Sequence, residues 1–255
     1  MTAFLRLAIA LFLAAFLSLQ LGCASDPRAT YSRAMKHYYN DRYKKALIDF
    51  KLLFATKEIP YLSLPEQAEA LDSWLSCAQE LGKQDLALQI SHRLLGLRRK
   101  AFNQLELASW LVDYADRCVE AEKLSAAADS YQEALQIYRR KKATHETNYG
   151  LAILAYGDTL ISLQRWEAAD QAWQINYLYY TTENGLANLT VAEILRKQAL
   201  VAHHYAKTDK ALKLLARAFE ISQLIVPKYD VGAYLELSEC AELRAKINQS
   251  AGRLE

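Results

Sequence analysis

From Tyr31 onward, apolar residues recur at three- and four-residue spacing in blocks separated by short polar breaks. That period marks amphipathic helices, not strands, and the breaks are short enough to join antiparallel neighbours. The stretch from Ile153 to Trp173 shows the unit most clearly. It holds two such blocks, with Gly157 in the first and Ala169 in the second; Trp166 and Trp173 stand three before and four after that alanine. Small residues let two helix axes approach closely, and large aromatic rings fill the volume beside the contact. The expectation is a helical hairpin.

The hairpin recurs, with second-block alanines at Ala46, Ala87, Ala127, Ala169 and Ala211, in steps of 41, 40, 42 and 42. Twelve residues before them lie Ala34, Leu75, Ala115, Gly157 and Ala199; four after them lie Phe50, Ser91, Tyr131, Trp173 and Leu215. Repeat two, with Leu75 and Ser91, fits least well. Adding 42 to Ala199 gives Ala241, inside a last block at about 230–249 that has no partner after it. Glu239, Glu242 and Lys246 form one polar stripe along that block, as a cap over the last apolar face requires. The spacing predicts helices over 31–40 and 43–56, 65–81 and 84–96, 102–121 and 124–141, 146–163 and 166–180, 187–205 and 208–224, and 230–249.

At these residues the chain resembles the tetratricopeptide repeat (TPR) family: a small residue in the first helix, an aromatic and a small residue in the second, then an aromatic again. The resemblance covers 31–255 and departs in period, 40 to 42 residues here against about 34 in the family. The interval of twelve is kept, so the extra residues lengthen helix ends or inter-repeat loops. The resemblance implies an all-α, right-handed TPR-like superhelical solenoid of five antiparallel helix pairs with a C-terminal capping helix. Such a fold serves many tasks and fixes none of them.

The first residues read as an address. Leu7–Leu19 is apolar except for Ser18, too short for a membrane span but suited to a signal-peptide core behind Arg6. Leu21-Gly22-Cys23-Ala24 resembles a bacterial lipobox, although Gln20 stands where that motif prefers leucine. The resemblance implies a signal peptide over 1–22, a lipidated Cys23 and a tether over 23–30. Ordinary cleavage after Ala24 and an uncleaved anchor are the competing readings. With alanine instead of aspartate after the cysteine, a lipidated form is expected at the bacterial outer membrane, facing the periplasm, before the inner membrane.

Composition fits an exported helical protein. Glycine (8) and proline (4) are scarce, as helices need. Removing residues 1–22 takes away Arg6 alone and leaves 30 basic against 29 acidic residues, so no electrostatic footprint for nucleic acid exists. Cys77, Cys118 and Cys240 fall on apolar faces of first helices and read as small buried hydrophobes; a Cys77–Cys118 bridge is the alternative.

No nucleophile, acid–base, metal or phosphate signature is present, so neither an enzyme nor a cofactor or metal site is expected. His203 and His204 are adjacent on one helix and point about 100° apart, which disfavours chelation. The carboxylates read as solvated helix positions.

A protein or peptide partner in a concave groove remains. In the TPR family the first helices line that groove, and carrying its lining positions across gives Tyr31, Met35, Tyr38 and Tyr39, then Asp116 and Glu120, Asp158, and Arg196 with His203. Tyr31, Met35 and Tyr38 form one stripe beside Tyr39, an aromatic surface either for a partner or for the tether to fold over. Arg98, Arg99 and Lys100 recur 41 residues later in Arg139, Arg140, Lys141 and Lys142. They read either as an edge for anionic lipid or an acidic partner, or as cations that complement helix C-termini.

These readings together suggest an envelope-anchored interaction scaffold, an accessory subunit of an outer-membrane assembly or secretion/pilus machine. The layout is similar to the TPR lipoprotein of the β-barrel assembly machinery and to type IV pilus pilotins. The alternative is a secreted or periplasmic regulatory module of a cell-wall enzyme.

Overall fold

The structure is a computed structural model describing residues 26–55, 62–101, 103–143, 147–184, 188–225 and 231–252. Residues 1–22 and Cys23, on which the address rests, lie outside the described residues. Eleven helices are present among the described residues, with no strand. They are α1 (Pro27–Tyr38), α2 (Tyr43–Leu53), α3 (Leu64–Glu80), α4 (Gln84–Ala101), α5 (Gln104–Glu120), α6 (Leu124–Arg140), α7 (Thr147–Ser162), α8 (Trp166–Asn184), α9 (Leu189–His204), α10 (Thr208–Ile225) and α11 (Val231–Ser250). The all-α class and the count of helices agree with the repeat reading.

The chain divides into two compact units, 1–101 and 102–255. In the first, α1 packs on α2 and α3, α2 on α3, and α3 on α4. In the second, each helix from α5 to α11 packs on the next, and the first helices α5 and α7, and α9 and α11, also touch. Each unit is therefore a stack of antiparallel pairs, as in a helical solenoid.

The paired small residues seal these hairpins. Ala34, Ala46, Ala115, Ala127, Ala169, Ala199 and Ala211 are all fully buried. The closest seat is Gly157, where an added Cβ would lie 2.1 Å from Trp173 Nε1 and 2.5 Å from its Cε2. A glycine is needed there because the indole occupies the methyl's place. Repeat two inverts the arrangement. Leu75 and Ser91 hold the equivalent sites and are buried, so a large residue on α3 stands where the others are small, and a small one on α4 where the others are large.

The first helices α1, α3, α5, α7 and α9 close with the same turn. The residue seven after the small position lies in the left-handed region five times: Asp41, Gly82, Glu122, Gln164 and Ala206, at φ 54–63°. The next amide donates back to the last helical turn, as Lys123 N does to Cys118 O (2.7 Å) and Arg165 N to Leu160 O (2.8 Å). Only one of the five is glycine, so sequence punctuation marks these turns poorly.

Three expectations need correction. The first helix begins at Pro27, not Tyr31, so residues 27–30 of the expected tether are helical. Asp26 caps it by accepting from Arg28 N (3.0 Å), and Pro27 has no amide proton to leave unpaired. The second helix of repeat two runs to Ala101, beyond the expected 96, with Gly96 exposed inside it and not ending it. The carboxylates are not all solvated, since Asp49 and Glu236 are buried.

Candidate functional site

The expected partner-facing residues all lie on first helices or at their ends, in two separate groups. In the first unit, Met35 does not face outward as the groove reading expects. It is buried in the core with Ala34, Phe50 and Leu71, because α1 rolls that side onto α2 and α3. Tyr31 and Tyr38 are half-buried against the same core, so the stripe they form with Met35 is largely packing. Only Tyr39 stands clear, 68% exposed.

Glu69 of α3, which sequence reasoning missed, organises these phenols. Tyr31 Oη donates to Glu69 Oε2 (2.8 Å), and Tyr39 Oη to Oε1 (3.2 Å). Burial, followed by the Glu69 hydrogen bond and charge, pushes the Tyr31 phenol far above its ordinary value. At Tyr39 the hydrogen bond to Glu69 comes first among the causes that raise it. Both rings therefore stay neutral donors, gathered on one carboxylate. Arg28 of α1 also reaches Glu66 of α3 (3.3 Å). Below them, Asp49 of α2 receives Arg33 (2.9 Å) and lies 3.7 Å from His37, tying α1 to α2.

In the second unit the expected residues hold one another or their neighbours. Asp116 accepts from the buried Tyr131 hydroxyl and so joins α5 to α6. Asp158 binds Lys197 Nζ (2.6 and 2.8 Å), which links α7 to α9. Arg196 joins α9 to α11, with Nε 2.8 Å from Glu236 and a terminal nitrogen 2.5 Å from Glu239. Burial pushes the Glu236 carboxyl above the usual range despite the opposing Arg196. Burial also works against the Arg196 charge, but Glu236, Glu239 and Glu193 outweigh it and hold the guanidinium above its ordinary value. Glu239 is thus drawn from the expected polar stripe of α11 into the seam beneath it. Lys197 and Glu236 were missed by sequence reasoning, as was the inward contact of Glu239. Their signal was an opposite charge 39, 40 or 43 residues away on the next first helix, close to one repeat.

Glu120 remains exposed and His203 half-buried. The histidine pair does not converge: His204 stacks on Trp166 at 3.9 Å between ring centroids. The basic edge is altered as well. Arg98 is buried and grips Asp72 of α3 (2.5 and 2.7 Å), so it is a strut between α3 and α4 and not an edge residue. Arg139, though exposed, donates to the Tyr149 hydroxyl (3.3 Å), and Arg99, Lys100, Arg140, Lys141 and Lys142 are exposed as well. Cys77, Cys118 and Cys240 are free and buried; burial comes first in pushing the Cys77 thiol up to about 11 and Cys240 to about 12, which suits inert packing residues.

No family model matches the chain, and no curated protein matches it. Solved structures do resemble it. BtubC (BKLC) from P. vanneervenii superposes with a TM-score of 0.58 at 16% identity, covering 90% of this chain and 83% of that one. The nearly identical TPR-like repeats assigned to a kinesin light chain of Podosopora anserina give 0.58 at 10% identity, covering 81% and 98%. MamA protein gives 0.53 at 14% identity, covering 81% and 96%. At these identities the likeness establishes a TPR-like helical-repeat fold.

Proposed function

We propose that this protein is a non-catalytic interaction scaffold, held at the bacterial envelope by lipid on Cys23, whose first-helix face receives a protein partner. One observation carries the reading. Along the first helices, acids, bases and phenols lock neighbouring repeats together, as in Tyr31–Glu69, Asp158–Lys197 and Arg196–Glu236, while Tyr39 and Glu120 are left outward. Within each unit, first helices held rigid in this way, with Tyr39 outward in one and Glu120 in the other, are organised for recognition, because little conformational freedom is lost on binding. The TPR-like fold supports a binding role, and the Leu21-Gly22-Cys23 motif supports the address. Within the envelope, the reading extends to an accessory subunit of an outer-membrane assembly, secretion or pilus machine.

A photo-crosslinking residue placed at Tyr39, at Glu120, and at Ile48 as a second-helix control (65% exposed) tests it in cells. Crosslinks from the first two positions to an assembly, secretion or pilus subunit support the proposal. Crosslinks to a peptidoglycan enzyme favour a regulatory module instead. Equal labelling from Ile48, or none from the first-helix positions, removes the first-helix face as the binding surface.

A further inference from the structure

In five repeats the first-helix residue at the marker position is buried: Ala34, Ala115 and Ala199 fully, and Leu75 and Gly157 too. The sixth equivalent, Ala241 on α11, is exposed. The preceding second helix shows the same opening. Eight residues after the alanine marker, Phe54, Leu95 and Leu135 are buried and Tyr177 is half-buried, but Phe219 on α10 is 38% exposed. For Phe54 the cover is known. The next first helix stacks Trp74 on it (5.4 Å), and the next second helix lays the Arg93 guanidinium over its ring (4.7 Å). Over Phe219 no such second helix stands among the described residues.

What remains is a cleft of about 740 Å³, lined by Leu212, Leu215, Ala216 and Phe219 of α10 and by Cys240 and Ala241 of α11, with Arg244 at its side. Among the described residues, none folds back over it. In every other repeat the residue seven after the small position makes the left-handed turn, whereas Asn248, the seventh after Ala241, stays helical; α11 continues to Ser250, and the left-handed residue comes only at Gly252 (φ 67°). The second-helix interface built five times within the chain thus continues to a sixth seat, which no described residue fills.

We infer that the α10–α11 groove docks an amphipathic helix of another protein, one carrying the second-helix pattern of alanine or glycine followed four residues later by an aromatic. Such a helix sets its small residue on Ala241 and covers Phe219, repeating the contact that Ala127 and Tyr131 make within the chain. The groove is independent of the first-helix face proposed above.

The probe is a fluorescent peptide that copies residues 124–140, a second helix with this pattern, titrated by anisotropy against the full chain. Saturable binding is expected. It should weaken at least about tenfold in Ala241→Trp, which fills the groove from an exposed site, and about fivefold in Phe219→Ala. Glu242→Trp, on the same helix but outside the lining, should bind as wild type, as should variants at Tyr39. Unaltered melting of each variant by circular dichroism accompanies the titration. Absence of saturable binding, or equal binding by wild type and Ala241→Trp, overturns the proposal. A wild-type dimer in sedimentation that becomes monomeric in Ala241→Trp also overturns it, since a second copy then owns the groove.

Discussion

At Gly157 a single hydrogen atom decides how closely two helices approach. The Trp173 indole occupies the space that a methyl group would need, so Gly157→Ala should destabilise the protein by about 1–3 kcal/mol through overpacking. Chemical denaturation checks this, and Trp173→Phe in the same chain should recover part of the loss, because the two sites are in contact. The sequence shows Gly157 and Trp173 plainly. It does not show that Leu75 and Ser91 are the same contact with the sizes exchanged, because a search for small residues treats an inverted pair as a degraded one. A different residue-scale prediction concerns pH. Glu66 accepts from Ser63 N (2.7 Å) and from the Ser63 hydroxyl (2.8 Å) in a capping box at the start of α3, and these bonds hold its carboxyl below the usual range. A depressed folded-state pKa stabilises the fold above the unfolded value of about 4.3, and that contribution is lost as pH falls through the folded value. Glu66→Gln should therefore lower the melting temperature near neutral pH, with the gap to wild type closing on acidification. A gap that does not change with pH would mean that the Glu66 charge plays no part.

At the scale of the element, α11 is fastened as much by charge as by apolar contact. Ala233, Cys240 and Ile247 are its buried apolar residues, while Glu236 is buried beside them and joined to Arg196 of α9. Replacing Arg196 by methionine leaves Glu236 without its partner, at a cost of about 3–5 kcal/mol. The cost should be local: hydrogen exchange should speed up across α11 while α5 to α8 keep their protection. Adding Glu236→Leu should restore much of the protection, since an apolar pair can replace a buried ion pair. If Arg196→Met loosens α5 as much as α11, the seam is not local to the cap. Here the sequence was informative about existence and register, since Ala241 marks α11 as a sixth first helix from the period alone. It was less informative about faces. Periodicity puts Glu239 on a polar stripe and Met35 on a groove, yet the turn of each helix about its own axis is set by its neighbours, which draw Glu239 under Arg196 and Met35 into the core.

At the scale of the whole molecule, the start of α1 bears on the proposed anchor. Asp26 caps the first helix and Pro27 opens it, so only Ala24, Ser25 and Asp26 separate Cys23 from helical structure. Three extended residues reach at most about 11 Å, roughly one helix diameter. A diacylated Cys23 would thus hold the first repeat directly at the headgroups, with no slack for it to leave the surface. Two chains on one residue give stable attachment, unlike a single acyl chain. Wild-type protein should therefore take up a palmitate analogue and remain with membranes after high-salt and carbonate washing, while Cys23→Ser should do neither. Lengthening the link with about twenty glycine and serine residues between Ser25 and Asp26 should keep the labelling and the membrane fraction. It should also expose Lys51, in the last turn of α2 at the end nearest the start of α1, to a membrane-impermeant amine reagent, more than in wild type, in outer-membrane vesicles opened on the periplasmic side. Equal labelling of wild type and Cys23→Ser removes the lipid anchor. Normal acylation with no change in lysine reactivity keeps the anchor and shows that the first repeat stands off the membrane by some other support.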